Sequence, residues 1–336
     1  MIDSVPSVPS PLTRAARSCI SRMGLASVAF FAATYATQLL VMVLAKALGA
    51  ASAFDGVYAA WLLSIGSMYL VGLPVFLLIL RPLAATPPDL RRLRPREFFV
   101  FFLVAYAVGY ACNLVATLLD TLLGTLIGAT SSATAADMIL DAPLWLVIAV
   151  PVILAPIVEE YLFRRVLIDR LLPYGQGLSI LVSAILFSVY HGNLVQSVYT
   201  LAIGLLLGYL YTSTGRLSHC IFLHMLYNLL GTVPPLLLMR YVASPEEILA
   251  WTEEMLETMT PPPGLISAFL GYGVYLLLVG ALVILGTVLC LLNIRRVRLF
   301  GPACMIPRGE RRYLLLSFGV LALALAFIGL LVLSYL

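Results

Sequence analysis

Charged side chains are scarce in this chain of 336 residues. They make up 11% of the sequence, against 62% hydrophobic residues, whereas soluble globular domains carry about 25% charged residues. A soluble fold of this length would lack a charged surface, and a disordered chain would not contain so many apolar side chains. The remaining class is an integral membrane protein, and the small net charge of +4 gives no indication of nucleic-acid binding.

Several familiar chemical motifs are missing as well. The five cysteines form no Cys-x-x-Cys pair, so neither a disulfide framework nor a thiolate zinc site is expected. The sequence has no His-Glu-x-x-His motif of a zincin and no Gly-x-Ser-x-Gly motif of a serine hydrolase. The 20 basic residues include a single lysine, Lys46. That bias indicates a GC-rich genome and therefore a bacterial source. The predicted location of this membrane protein is accordingly a bacterial cytoplasmic membrane, which it would cross several times.

Long apolar runs predict the fold. Crossing about 30 Å of hydrocarbon takes about 20 helical residues. Runs of this length predict an all-α, polytopic bundle of about eight or nine transmembrane helices. The predicted spans are 24–48, 57–80, 98–127, 143–163, 177–194, 195–214, 218–239, 265–293 and 313–335. Strands are not expected, because the runs are continuous rather than alternating and lipid admits only helices or closed barrels.

The charges outside these runs predict an orientation. Every second connection is rich in arginine, beginning with Arg14, Arg17 and Arg22 ahead of the first run, whereas the intervening connections are acidic or neutral apart from Arg240. The positive-inside rule therefore places the N-terminus in the cytoplasm. Residues 1–23 are predicted to form a cytoplasmic tail and 24–142 the N-terminal spans. In the acidic extracytoplasmic segment 241–264, the Ser-Pro-Glu-Glu sequence at 244–247 predicts a short surface helix.

Few ionisable side chains lie inside the predicted spans, where they are functional candidates by default. Asp120 is equally compatible with a structural and a functional role. Glu160 and Arg164 are four residues apart, a spacing that favours an ion pair on one helix face. Glu159 has no such partner, and an unpaired, desolvated carboxylate suits a general base. The alternative is that both carboxylates simply reach the headgroup region.

Two histidines and one amide complete the set of polar candidates. His191 follows Phe187 by four residues, and Asn228 follows His224 by four, so each pair shares a helix face. Imidazole can bind a metal, polarise a carbonyl or stabilise an oxyanion, and an amide can donate to an oxyanion. The alternative is an ordinary interhelical hydrogen bond.

The predicted depths of these residues conflict. Glu159 and His224 fall near the cytoplasmic edge, whereas His191 falls toward the outer end of the fifth span. The three can meet only if that span begins deeper than residue 177 or if its helix breaks near Gly192.

These residues resemble the three-motif signature of the CPBP intramembrane proteases. That family includes CAAX prenyl endopeptidases of the Rce1 type, lysostaphin resistance A-like proteins and bacteriocin-immunity proteins. The resemblance covers roughly residues 143–235. The matching motifs are Glu159-Glu160-x-x-x-Arg164, Phe187-x-x-x-His191 and His224-x-x-x-Asn228.

The resemblance implies a catalytic role for four residues. Glu159 would activate a water molecule, and His191 would position that water or bind a metal. His224 and Asn228 would stabilise the oxyanion, or His224 would be a second metal ligand. The implied cofactor is a zinc ion held by His191 and His224, with a metal-free glutamate mechanism as the alternative.

The remaining motif residues have implied supporting roles. Glu160 and Arg164 would brace the site, and Phe187 would pack beneath His191. The implied division of the chain places a catalytic core at 143–240, followed by the acidic segment 241–264 and C-terminal spans at 265–336.

The predicted function is that of an intramembrane endopeptidase, which the family's classification places among the metal-dependent hydrolases. Its substrate would be a membrane-associated protein or peptide, including a prenylated CAAX-type tail, and its cavity is expected to open toward the cytoplasm. Two alternatives remain: a non-catalytic immunity or scaffold protein, and a proton-coupled transporter. A transporter would show broken helices and repeated halves, and no internal repeat is evident.

Overall fold

The structure, a computed structural model, describes residues 9–128, 134–299 and 304–335, without the side chains of 134–137. Within these ranges the chain is helical and contains no strand. The predicted all-α class is confirmed.

Twelve helices are described in these ranges. In chain order they are α1 (Pro11–Ala47), α2 (Val57–Leu80), α3 (Pro95–Ile127), α4 (Thr134–Asp141), α5 (Leu144–Tyr174), α6 (Gln176–Val189), α7 (Leu194–Thr214), α8 (Leu217–Tyr241), α9 (Pro245–Thr258), α10 (Pro263–Arg296), α11 (Arg308–Leu315) and α12 (Phe318–Leu333). Seven of them are long and apolar enough to cross a membrane, and α11 with α12, bent by 55° at the break between them, would add an eighth if the pair is one span. The predicted polytopic bundle is confirmed. Helix α6, at the position of the fifth predicted span, is apolar but shorter than the length that crosses a membrane.

The first helix begins earlier than the sequence suggested. Helix α1 starts at Pro11, where the Ser10 hydroxyl accepts a hydrogen bond from the Thr13 amide. A serine cap followed by proline in the first turn is a strong helix start. Residues predicted to lie in a tail, among them the three arginines of 14–22, therefore lie on α1.

The helix that carries the acidic pair extends beyond its predicted end at 163. Helix α5 continues to Tyr174, and Glu159 is therefore its central residue rather than a residue near one end. The extension is possible because its charges are neutralised: Arg164 contacts Glu160, and Arg165 contacts Asp169. Glu159 therefore lies farther from the end of its helix than the predicted span 143–163 implied.

Helices α6 and α7 form a hairpin whose turn lies inside the bundle. Helix α6 has 14 residues, a length of about 21 Å, and ends at Val189. Gly192 follows with a φ of 69°, a conformation that favours glycine. Of the two alternatives for bringing His191 to Glu159, a deeper start of the span and a break near Gly192, the structure shows the break.

The turn backbone is satisfied by its own side chains. Asn193 Nδ2 donates to the His191 carbonyl, and Asn193 Oδ1 accepts from the Gln196 amide. Non-helical backbone at membrane depth is tolerated where it is buried or lines a cavity. The two helices approach closely at Gly204, where an added Cβ would lie 3.0 Å from Ala184 Cα.

The arginine-rich connections lie together at one end of the bundle. The Thr86 amide donates to the Asp169 carbonyl, and the Arg91 amide donates to the Thr214 carbonyl. The Met305 amide likewise reaches the Tyr174 carbonyl. We call this the basic end. Its existence agrees with the alternation read from the sequence, while its cytoplasmic location stays a prediction.

The opposite end carries the acidic segment. Helix α9 begins with the predicted capping box, because Ser244 Oγ accepts from the Glu247 amide and Glu247 Oε2 accepts from the Ser244 amide. Arg240, the one cation at this end that broke the charge alternation, donates to the carbonyls of Ile139 and Ala142. Arg240 therefore joins the end of α8 to the end of α4.

Asp120 makes a structural contact. Its carboxylate accepts a hydrogen bond from the Tyr335 hydroxyl, which joins α3 to the C-terminal end of the chain. Of the two roles left open for Asp120, this contact favours the structural one.

Candidate active site

The local structure of α5 places the acidic pair. An α-helical turn, Ala155–Glu160, lies between two π-helical stretches, Ile148–Leu154 and Tyr161–Ile168. Such π-helical insertions rotate the following residues and are frequent at functional sites.

Two prolines in α5 create a hydrogen-bond acceptor. The Ala155 amide bonds to the Val150 carbonyl, and Pro156 has no N–H. The Pro151 carbonyl is therefore free to accept from Asn228 Nδ2, at 2.8 Å. This bond fixes the orientation of the Asn228 amide.

Glu160 is held by Arg164, as the spacing predicted. Arg164 Nε lies 2.9 Å from Glu160 Oε2, and Arg164 Nη2 donates to Glu160 Oε1 at 3.2 Å. Both side chains are 0% exposed. Arg164 Nη1 also donates to Ser183 Oγ, which in turn donates to the Phe163 carbonyl. The pair is thus tied to α6.

His224 lies between the two glutamates. Its Nδ1 is 2.9 Å from Glu160 Oε1, and its Nε2 is 3.9 Å from Glu159 Oε2. Because a carboxylate only accepts, Nδ1 carries the hydrogen. The Glu159 side chain retains 25% exposure, against 0% for Glu160. The two adjacent acids therefore have different environments.

Phe187 positions both imidazole rings. Its ring is almost perpendicular to those of His191 and His224, at centroid distances of 5.0 and 5.8 Å. His191 Nδ1 donates to the Phe187 carbonyl at 2.9 Å, which leaves Nε2 as the acceptor of the neutral ring. The guanidinium carbon of Arg164 lies 4.9 Å from the same ring centroid, in a cation–π contact.

The four residues predicted to be catalytic line one cavity. Glu159, His191, His224 and Asn228 face a space of about 300 Å³. Residues that are up to 69 positions apart in the sequence are thereby brought into one site.

Sequence reasoning missed several polar residues of this cavity, among them Tyr69, Gln196, Tyr199 and Thr200. Tyr199 and Thr200 follow Gln196 by three and four residues on α7, and that polar stripe within an apolar span was a usable signal. Tyr69 lies on α2 and belongs to no motif, so only the tertiary structure could reveal it.

The cavity extends away from the basic end. Its far wall is formed by Trp61, Met138 and Ile139, beside α4. In the other direction, Phe163, Arg164 and Leu167 are 0–1% exposed and fill the space below Glu159. The lining residues therefore lie on the side of Glu159 away from the basic end, whereas a cavity open toward the arginine-rich connections was expected.

The donor set does not form a three-ligand metal site. Among the described residues no group of three His, Cys, Asp or Glu side chains is placed to hold a metal ion, and catalytic zinc takes three protein ligands. His224 Nδ1 is moreover occupied by Glu160. A zinc ion on His191 and His224 stays a prediction, and the roles proposed for this site use side chains alone.

A comparison with protein families matches this part of the chain. Residues 141–230 match the model of the type II CAAX prenyl endopeptidase Rce1-like family. This segment of the chain is similar to the Rce1-like family. The match includes α5 to α7 and the first half of α8, together with all seven motif residues. No curated protein and no solved structure matches the chain.

The Rce1-like segment carries a family-level implication. Its family description is that of a CAAX-type protease, and the apolar helices show a multi-pass membrane protein. The helices α1 to α3 and α9 to α12 lie outside the matched residues. The Rce1-like core therefore occupies the centre of the chain, with additional helices on both sides.

Proposed function

We propose that this protein is an intramembrane endopeptidase that hydrolyses a peptide bond in a membrane-associated protein or peptide. The observation that carries the proposal is the difference between the two glutamates. Glu160 is buried and ion-paired, whereas the Glu159 carboxylate is partly exposed to the cavity and lies 3.9 Å from His224 Nε2. That separation is too long for a hydrogen bond and is of the kind that a bridging water fills.

Glu159 is the general base in this proposal. It takes a proton from the water while the water oxygen attacks the carbonyl carbon of the substrate. The tetrahedral intermediate then collapses, the C–N bond breaks, and the proton passes to the leaving amine. His191 assists because its free Nε2 accepts a hydrogen bond from the same water and orients it.

His224 and Asn228 act on the oxygen of the substrate. A neutral His224 ring, with its hydrogen on Nδ1, offers only a lone pair at Nε2, so it must be protonated to donate to an oxyanion. The Glu160 carboxylate, 2.9 Å from Nδ1, accepts the hydrogen of that ring nitrogen in either form. Asn228 uses one N–H for the Pro151 carbonyl and keeps the second for the oxyanion.

The walls of the cavity favour a substrate that lies within the bilayer. Besides the catalytic residues the cavity is lined by apolar side chains such as Trp61, Ile65 and Met68. On the predicted topology, in a bacterial cytoplasmic membrane, this is the half of the bundle away from the cytoplasm. A membrane-embedded segment therefore fits the cavity better than a soluble cytoplasmic tail. A prenylated CAAX-type peptide is the alternative substrate, since its lipid also lies in the bilayer.

Cleavage by the purified protein tests the proposal. The substrates are a prenylated tail peptide and a pool of hydrophobic membrane peptides, and products are identified by mass spectrometry. We expect the parent and a Glu254→Gln control on α9 to cleave, and Glu159→Gln and His224→Ala to be inactive. Equal cleavage by all four proteins would show that the active site lies elsewhere. No cleavage by the parent would favour a non-catalytic immunity or scaffold protein, or a proton-coupled transporter.

A further inference from the structure

A second cavity lies at the basic end, remote from the Rce1-like core. It measures about 590 Å³ and lies between α1, α2 and the break that separates α11 from α12. Its wall on α1 runs from Arg14 through Arg17 and Arg22 to Leu25. These residues cover about 16 Å along the helix, and the wall changes from basic to apolar in the direction of the bundle interior.

The arginines of this cavity have no acidic partner in the structure. None of the ion pairs among the described residues involves Arg14, Arg17 or Arg22. Arg17 donates one hydrogen bond, from Nη2 to the Leu316 carbonyl at 2.8 Å. The Glu310 carboxylate, on α11, accepts hydrogen bonds from the Ser10 amide and hydroxyl. The cavity therefore carries an uncompensated positive charge, which favours an anionic ligand.

A buried hydroxyl gives a second, independent indication of a ligand. Ser317 lies between α11 and α12, is 1% exposed and lines the cavity. Its Oγ has no hydrogen-bond partner among the described residues. Buried polar atoms are normally paired, so an orphaned one in a cavity is a site for an absent partner.

Close contacts fix the distance between α1 and α12, two of the helices that flank the cavity. A Cβ at Gly24 would overlap the Gly319 carbonyl, so glycine is required for the close approach of α1 and α12. The Gly319 amide also donates to Ser21 Oγ at 3.0 Å. These contacts hold the arginines of α1 beside Ser317 whether or not a ligand is bound.

We propose that this cavity binds the headgroup of an anionic phospholipid. The phosphate would lie against Arg14 and Arg22 and accept a hydrogen bond from Ser317. Leu25 and the exposed Phe318 would contact the first part of an acyl chain. A free phosphate ion would contact the arginines but not the apolar residues Leu25 and Phe318. Basic cavities between transmembrane helices on the cytoplasmic side are suited to such headgroups.

Lipid binding to the purified full-length chain in detergent tests the proposal. Phosphatidylglycerol is titrated and one-to-one complexes are counted by native mass spectrometry, with phosphatidylcholine and glycerol 3-phosphate in parallel. We expect saturable binding of phosphatidylglycerol alone. The variant Arg14→Gln/Arg22→Gln should weaken it about 25-fold, because each arginine near a membrane surface contributes about fivefold. Ser317→Ala should weaken it less and leave the lipid-free thermal midpoint unchanged.

A matched variant at the same end of the bundle separates a site from a general charge effect. Arg295→Gln/Arg296→Gln removes the same charge outside the cavity and should bind phosphatidylglycerol like the parent. Equal loss in the two double variants, or equal binding of phosphatidylcholine by the parent, would overturn the proposal. Binding of glycerol 3-phosphate as tight as that of the lipid would show a free-anion site instead. None of these measurements depends on peptidase activity.

Discussion

Glu160 and His224 are joined by a hydrogen bond of 2.9 Å between Oε1 and Nδ1, across 64 positions of sequence. Since Arg164 also contacts this carboxylate, Glu160 connects the helix of the acidic pair to the helix of the second histidine. The bond leaves His224 Nε2 as the ring nitrogen next to Glu159. One buried acid thus orients the imidazole, and the other remains available to the cavity.

The two neighbouring arginines of α5 should differ in their effect on stability. Arg164→Ala leaves a carboxylate buried without its partner, which costs about 3–5 kcal/mol. Arg165→Ala removes a cation that is 48% exposed, and its buried partner Asp169 keeps the hydrogen bond from the Tyr211 hydroxyl, so the loss of stability should be smaller. Denaturant or thermal unfolding in detergent measures both. Similar losses for the two variants would contradict the structural role given to Arg164.

Substitution of Glu159 should affect mainly catalysis, whereas substitution of Glu160 should affect both catalysis and stability. Glu159→Gln is expected to lower kcat by about 10²–10⁴-fold, as for a lost general base, with little change in stability. Glu160→Gln should lower both kcat and stability, because Arg164 and His224 lose their partner. Peptidase assays and unfolding curves on the same preparations give the comparison. A Glu159 variant that unfolds as readily as the Glu160 variant would argue against a free base.

The prolines of α5 should influence Asn228. Pro156→Ala restores an N–H that can compete for the Pro151 carbonyl, so the amide of Asn228 would lose its fixed orientation. We expect kcat to fall with KM unchanged, by less than the about 10²–10³-fold loss expected for Asn228→Ala. Steady-state kinetics measures the effect. A Pro156→Ala enzyme with parental kcat would show that the Pro151–Asn228 bond is not needed.

Metal removal distinguishes the two mechanisms left open by the motifs. Because no three-ligand group is present among the described residues, we expect cleavage to survive treatment with a chelator and elemental analysis to find no stoichiometric zinc. One zinc per chain, lost together with activity on chelation and on His191→Ala, would instead establish the predicted metal ligands.

The topology has its own test. Reporters fused after Asp141 and after Arg298 should report opposite sides of the membrane, with the Arg298 fusion in the cytoplasm. These positions lie at opposite ends of the bundle, since Arg240 contacts the α4 end and Tyr209 donates to the Arg298 carbonyl. The same side for both reporters would overturn the positive-inside assignment.

Much of the site could be predicted because its spacing is local. The i,i+4 pairs Glu160–Arg164 and Phe187–His191 need only one helical turn each, and both contacts form. The central position of Glu159 in α5 could not be predicted, because the helix continues through arginines whose charges are neutralised by Glu160 and Asp169. The direction of the cavity depends on packing around Phe163 and Leu167, which no sequence period encodes.

Composition and periodicity alone determined that this chain is a helical membrane protein with a few polar residues of functional interest. The length of an apolar run and the positions of the arginines can be read directly from the sequence, because neither depends on which helices contact each other. Only the tertiary structure decided which glutamate is free, where the cavity lies and that Tyr69 belongs to it. Those properties arise from contacts between helices distant in sequence, where burial and competing hydrogen bonds determine the environment of each side chain.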